Sequence, residues 1–220
     1  MSDSGNHGGA ERVTYDDVAA AGLDDWRILL TGIHARFATG SFAAGVRLVD
    51  AIGSAADEVD HHPDVTLTYP RVDVALVSHD VGRVTGRDLA LARRISEIAA
   101  EQGVSADPAS LQQLELALDS PDQASVLPFW RDLLAFDGDE GGIRDPHDRL
   151  PAVWFQESGS DEPRQRWHLD VWVPGDQVQA RIDAVVAAGG RLVADVSEHS
   201  FWVLEDAEGN RSCVCTAQGR

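Results

Sequence analysis

Between Asp57 and Asp88 the chain gathers residue types suited to moving protons. His61, His62 and His79, three of the chain's eight histidines, fall within 19 residues, with Asp57, Asp64 and Asp88 around them and Tyr69 between. Imidazole titrates near pH 6.5, so grouped histidines offer a donor and an acceptor at neutral pH. The group contains no cysteine and no paired-carboxylate ligand set, which points to acid–base chemistry without a metal. Plainer readings stand beside this one. His61-His62-Pro63 suits a loop before a strand, and His79 suits a strand end. Thr85-x-x-Asp88 suits a variant capping box opening a helix.

The surrounding pattern supplies elements to position these residues. Residues 25–30 and 33–37 read as two short strands around Thr31-Gly32. Ser41 then caps a helix whose Phe42, Val46, Val49 and Ile52 recur at helical spacing. A helix normally stops before a proline such as Pro63. Residues 65–69 and 72–79 alternate as strands, and a helix runs from Thr85 to Glu101. The predicted order is α-β-β-α-β-β-α, an α+β sandwich with helices on one face of an antiparallel sheet.

Composition narrows the function classes. The chain has 220 residues and a net charge of −19, and all 18 basic residues are arginine. Without lysine, Schiff-base chemistry and a P-loop are excluded. Residues 1–104 carry 16 acids against 9 arginines (net −7), and residues 105–220 carry 21 against 9 (net −12). Fields of that sign oppose phosphate backbones and anionic lipid, so neither nucleic acid nor membrane is an expected partner. No apolar run approaches the roughly 20 residues of a membrane span. Residues 1–10, including His7, read as a disordered tail without signal-peptide character. Cys213 and Cys215 are read as pointing to opposite faces of a strand, suited neither to a mutual disulfide nor to a shared metal. A reducing, cytoplasmic setting fits them.

The order acid-x-x-x-His-His-Pro, aromatic, His, Asp resembles the active-site signature of pterin-4a-carbinolamine dehydratase over roughly Val13 to Ala100. The resemblance implies the α+β fold and a small-molecule pterin substrate, 4a-hydroxytetrahydropterin, dehydrated to quinonoid dihydropterin in cofactor recycling. It further implies His61 and His79 as acid and base, His62 contacting the pterin, and Asp88 accepting a hydrogen bond from an imidazole. Pro63 and Tyr69 would help bind substrate. Asp57 stands where many members carry Glu. No cofactor is implied, and a homodimer or homotetramer is expected, with Ala90, Leu91 and Ala99 of the closing helix as spare apolar surface.

Residues 104–110, small and polar with a proline, read as a linker between a domain over 11–103 and another over 111–220. The second shows a weak repeat at an offset of 54, Leu114 to Gln123 against His168 to Gln177. Helix ends at Gly189-Gly190 and a hairpin turn at Asp206–Asn210 complete the pattern. It resembles the glyoxalase-like (vicinal oxygen chelate) fold of two βαβββ units. Metal-bearing members supply His or Glu from the first and last strands of each unit. His168 and Glu157 match such positions, but Leu114 and the final strand do not, so no metal is expected and His168 is read as a polar residue at the mouth of a small cup. The alternatives to a dehydratase are a dimerisation or coactivator module, a ligand sensor, or a glyoxalase-type metalloenzyme.

Overall fold

The computed structural model describes residues 13–139, 141–157, 167–205, 209 and 211–218, the side chains of Ser125 and Phe129 aside. The tail read over 1–10 and most of the turn read at 206–210 lie outside the described residues. The chain divides into two compact units between Leu111 and Gln112.

The first unit runs α1 (Tyr15–Ala20), β1 (Trp26–Leu29), β2 (Gly32–Ala38), α2 (Phe42–Val59), β3 (Asp64–Thr68), β4 (Arg71–Leu76), α3 (Gly86–Glu101) and β5 (Ser105–Ala106). Its antiparallel sheet has the order β1-β2-β4-β3, with β5 also pairing β2. Alternation sends Ile33, Ala35 and Phe37 of β2 and Val72, Val74 and Leu76 of β4 into one core. Leu48, Ile52 and Ala56 of α2 and Leu91, Ala92, Ile95 and Ala99 of α3 cover them. Each large side chain buried there contributes about 1.5–3 kcal/mol, enough to pin the register of both central strands.

Two expectations are corrected here. The buried face of α2 is Gly45, Leu48, Ile52, Ala55 and Ala56, while Phe42 and Val46 point outward. The small residues decide this. A Cβ on Gly45 would lie 2.4 Å from Leu67 Cδ1, so the helix seats its smallest face on the sheet. Leu91 and Ala99 are consumed by the unit's own core and are not spare surface. The stretch read as the linker between the domains is docked on the first unit. β1 pairs with residues 32–35 of β2, and β5 takes the edge left at Phe37 and Ala38. Arg36 holds the next turn through the Ser110 carbonyl and hydroxyl, 3.1 Å each.

The second unit runs β6 (Gln113–Ser120), α4 (Gln123–Leu134), β7 (Asp137–Asp139), β8 (Gly142–Arg144), β9 (Ala152–Glu157), β10 (Trp167–Trp172), α5 (Val178–Ala187), β11 (Arg191–Val196), β12 (Phe201–Glu205) and β13 (Arg211–Cys215). These are two βαβββ repeats in one sheet of order β11-β12-β13-β10-β6-β9-β8-β7. The repeats meet at the antiparallel β6/β10 pair, and each closes with its first and last strands parallel, β6/β9 and β10/β13. One face carries Leu118, Val153 and Phe155 against Leu127 of α4, and Val214 and Leu204 against Ile182 of α5. Residues two apart on a strand share a face. Cys213 and Cys215 therefore point the same way, against the reading of opposite faces, with Cys213 opposite Asp170 and Cys215 opposite Trp172.

Candidate active site

The site forms where α2 gives way to β3. The helix ends at Asp60, a C-cap in the left-handed region (φ 48°, ψ 43°), and His61-His62-Pro63 leads into β3. That turn sends consecutive histidines to different environments. His61 keeps 7% exposure, and its Nε2 lies 2.8 Å from Asp88 Oδ1. The His62 side chain is 58% exposed, with Nε2 3.0 Å from Asp57 Oδ1 one turn back on α2.

Asp88 is fully buried, and its two oxygens have different partners. Oδ2 accepts from the Thr85 backbone N–H (2.7 Å) and the Ser78 hydroxyl (2.7 Å), while Oδ1 faces His61. The helix-capping and imidazole-holding readings of Asp88 are thus both realised in one carboxylate. A capping box at Thr85 opens α3, and its acid reaches 27 residues back to the histidine loop. An ionised carboxylate only accepts, so the donor in this contact is His61 Nε2–H.

The third imidazole comes from the segment after β4. Ser78 pairs with Arg83 across a tight turn that presents His79, whose side chain is 64% exposed. His79 Nε2 stands 3.9 Å from Asp64 Oδ2, the residue following Pro63. The 61–64 loop and the 78–80 turn therefore converge. The Arg87 guanidinium bonded to Asp80, on this turn, holds that carboxyl below its usual range.

Tyr69 is not brought to this group. It sits in the β3–β4 turn, before a cis peptide bond to Pro70, at the far end of the hairpin from Asp64. Five residues of extended strand span roughly 16 Å, so within one chain its 71% exposed ring faces a different region. A single chain therefore does not bring Tyr69 together with the histidines.

Among the described residues of the second unit, the strand positions weighed as metal-ligand positions differ in what they offer. Leu114 occupies one such strand position, and Glu157 is exposed at the end of β9. His168 is largely buried, edge-on to Trp154, with Nδ1 3.8 Å from Asp119 and Nε2 3.6 Å from Asp170. Burial, then Asp170 and Asp119, push the neighbouring Cys213 thiol up to about 12. Sequence reasoning had no signal for Asp119 or Asp170, whose positions follow from strand register alone.

Comparison with known proteins agrees with both units. The model of the pterin 4 alpha carbinolamine dehydratase family matches residues 11–98. A relative from Metallosphaera sedula is 38% identical over 82 residues, 37% of this chain and 85% of that protein. Another, from Thermosynechococcus vestitus, is 34% identical over 92 residues, 41% of this chain and 97% of that protein. Both are named, provisionally, as pterin-4-alpha-carbinolamine dehydratases. A solved coactivator/pterin dehydratase from Brucella melitensis is 30% identical, covering 40% of this chain and 98% of its own, with a TM-score of 0.38. The chain belongs to the pterin-4a-carbinolamine dehydratase family. Its second unit, over residues 115–215, matches the model of a glyoxalase-like domain.

Proposed function

We propose that the chain dehydrates 4a-hydroxytetrahydropterin to quinonoid dihydropterin by imidazole acid–base catalysis. One observation supports this reading: three imidazoles, each facing its own carboxylate, stand on the 61–64 loop and the 78–80 turn, two segments that the His79–Asp64 pair joins. Loss of water from C4a needs a proton removed from N5 and a proton delivered to the departing hydroxyl. His61 and His79 supply that pair, with Asp88 fixing the tautomer of His61. His62 contacts the pterin, oriented by Asp57, and Pro63 shapes the loop. The reaction belongs to recycling of a tetrahydrobiopterin-type cofactor in the cytoplasm. No helix among the described residues is long and apolar enough to cross a membrane. We infer a homodimer or homotetramer, for which the exposed Phe42 and Val46 of α2 offer an apolar surface.

The decisive experiment follows dehydration of 4a-hydroxytetrahydropterin by the full chain and by three alanine variants. His61→Ala and His79→Ala should each lower kcat by about 10²- to 10⁴-fold, the range for one general acid or base. His62→Ala should act mainly on KM. If all three variants stay within a few-fold of the parent, the proposal fails.

A further inference from the structure

Ser78 is fully buried, and each of its polar groups is engaged. Its backbone N–H donates to the Arg83 carbonyl at 3.1 Å. Its own carbonyl accepts from the Val81 N–H at 3.1 Å and the Gly82 N–H at 2.9 Å. These three bonds close the turn that carries His79, with Gly82 in the left-handed region at φ 63°. The side chain is bonded to the start of α3 instead. Its Oγ lies 2.7 Å from Asp88 Oδ2 and 2.8 Å from Thr85 Oγ1. One residue thus belongs both to the turn of one imidazole and to the carboxylate that holds another.

The direction of these bonds follows from the supply of hydrogens. A hydroxyl donates once, and an ionised carboxylate donates nothing. Ser78 gives its hydrogen to Asp88 Oδ2, because two oxygens 2.7 Å apart attract only with a hydrogen between them. Thr85 can then donate to Ser78 Oγ, while its own oxygen accepts from the Arg87 N–H at 3.2 Å. The two donors to Oδ2 do different things. The Thr85 N–H belongs to the helix start that Asp88 caps, so it fixes the carboxylate only to α3. The Ser78 hydroxyl fixes the same carboxylate to the His79 turn. A second tie between turn and helix, Asp80 to Arg87, is 62% and 49% exposed, where water and salt screen it.

We infer that Ser78 is a positioning residue whose buried hydroxyl, donated to Asp88, sets the placement of His79 relative to His61. The connection runs from His61 Nε2–H to Asp88 Oδ1, from Asp88 Oδ2 to the Ser78 hydroxyl, and along the backbone to His79. Ser78 itself acts on no reacting atom. Its effect on turnover rests on the dehydration proposed above, whereas the tie between turn and carboxylate does not. Loss of the hydroxyl should free the turn and spare the helix start. Asp88 would keep the Thr85 N–H, and the Thr85 hydroxyl, 3.2 Å from Oδ2, could turn to it.

The test compares the full chain with Ser78→Ala and with Ser78→Cys, which fills the same space with a poor donor. Amide exchange at Val81 and Gly82, whose N–H groups bond to the Ser78 carbonyl, reads the turn without any substrate. Both variants should speed it by roughly 5- to 10-fold, the effect of one net hydrogen bond. Exchange at Leu89, whose N–H bonds to the Thr85 carbonyl in the first turn of α3, should stay at the parent rate. In dehydration assays kcat should fall about 10- to 100-fold with KM within about a factor of two, as for an acid and a base misplaced by about an ångström. Parent rates at Val81 and Gly82, or equal acceleration at Leu89, overturn the tie. Faster exchange with unchanged kcat overturns the positioning role. A parent that does not dehydrate the pterin ends the proposed function, and exchange still decides the tie. Should Ser78→Ala fail to fold, Ser78→Cys carries both readouts.

Discussion

Asp88 and His61 share a hydrogen bond of 2.8 Å that joins the first turn of α3 to the loop leaving α2. The same carboxylate closes the capping box at Thr85. A residue that stabilises a helix start and orients an imidazole can be separated into its two roles by substitution.

Asp88→Asn should keep an acceptor for Thr85 and Ser78, since one amide oxygen can replace Oδ2. Its NH₂ would then face His61 and force the other tautomer. Stability should fall by no more than about 1 kcal/mol while kcat drops. Asp88→Ala should lose about 2–3 kcal/mol as well, because buried donors are left unpaired. Denaturant unfolding and turnover, measured on both variants, check the split. Equal loss of activity and stability in both would reduce Asp88 to a cap.

Tyr69→Ala should leave kcat/KM within about a factor of two to three, the usual consequence of an exposed substitution. The ring lies a strand length from the histidines. A loss of a hundredfold would place Tyr69 in a site completed by another copy of the chain.

Half-buried His34 gives a pH-dependent term. Desolvation, partly opposed by Asp73, holds its pKa down at about 4. The unfolded chain, with an ordinary value near 6.5, takes up the proton first as pH falls. Folded-state stability contributed by neutral His34 is therefore full above about pH 6.5 and declines toward pH 4. As pH falls through that window the parent should lose stability relative to His34→Gln. A pH-independent difference would show that the ring is freely solvated.

Dehydration by the first unit should survive chelator treatment, because its side chains are three imidazoles with carboxylate partners and no thiol. Assays before and after dialysis against chelator are sufficient. Activity lost on chelation and restored by a divalent ion would mean that a metal serves the reaction.

Much of this was legible in local pattern. Ser41 and Thr85 mark helix starts by their own chemistry, and alternation marks β2 and β4. What escaped depends on packing between segments. Phe42 and Val46 have the spacing of a core face, yet Gly45 and Ala56 let α2 come closer on the other side, and closeness to the sheet decided the rotation. Thr85-x-x-Asp88 can be read as a cap, but no spacing reveals that its second oxygen reaches His61. Asp119, Asp170 and Cys213 are 94 residues apart at their extremes. Only the register of β6, β10 and β13 brings them to one spot.

The docking of β5 onto β2 bears on where the chain can be divided. A fragment stopping at Glu101 would leave the Phe37–Ala38 edge open and deprive Arg36 of Ser110. Open strand edges recruit other chains, so such a fragment should self-associate. A fragment continuing through Leu111 carries its own edge cover, whereas one cut before Ser105 would expose the very strand that centres the dehydratase core.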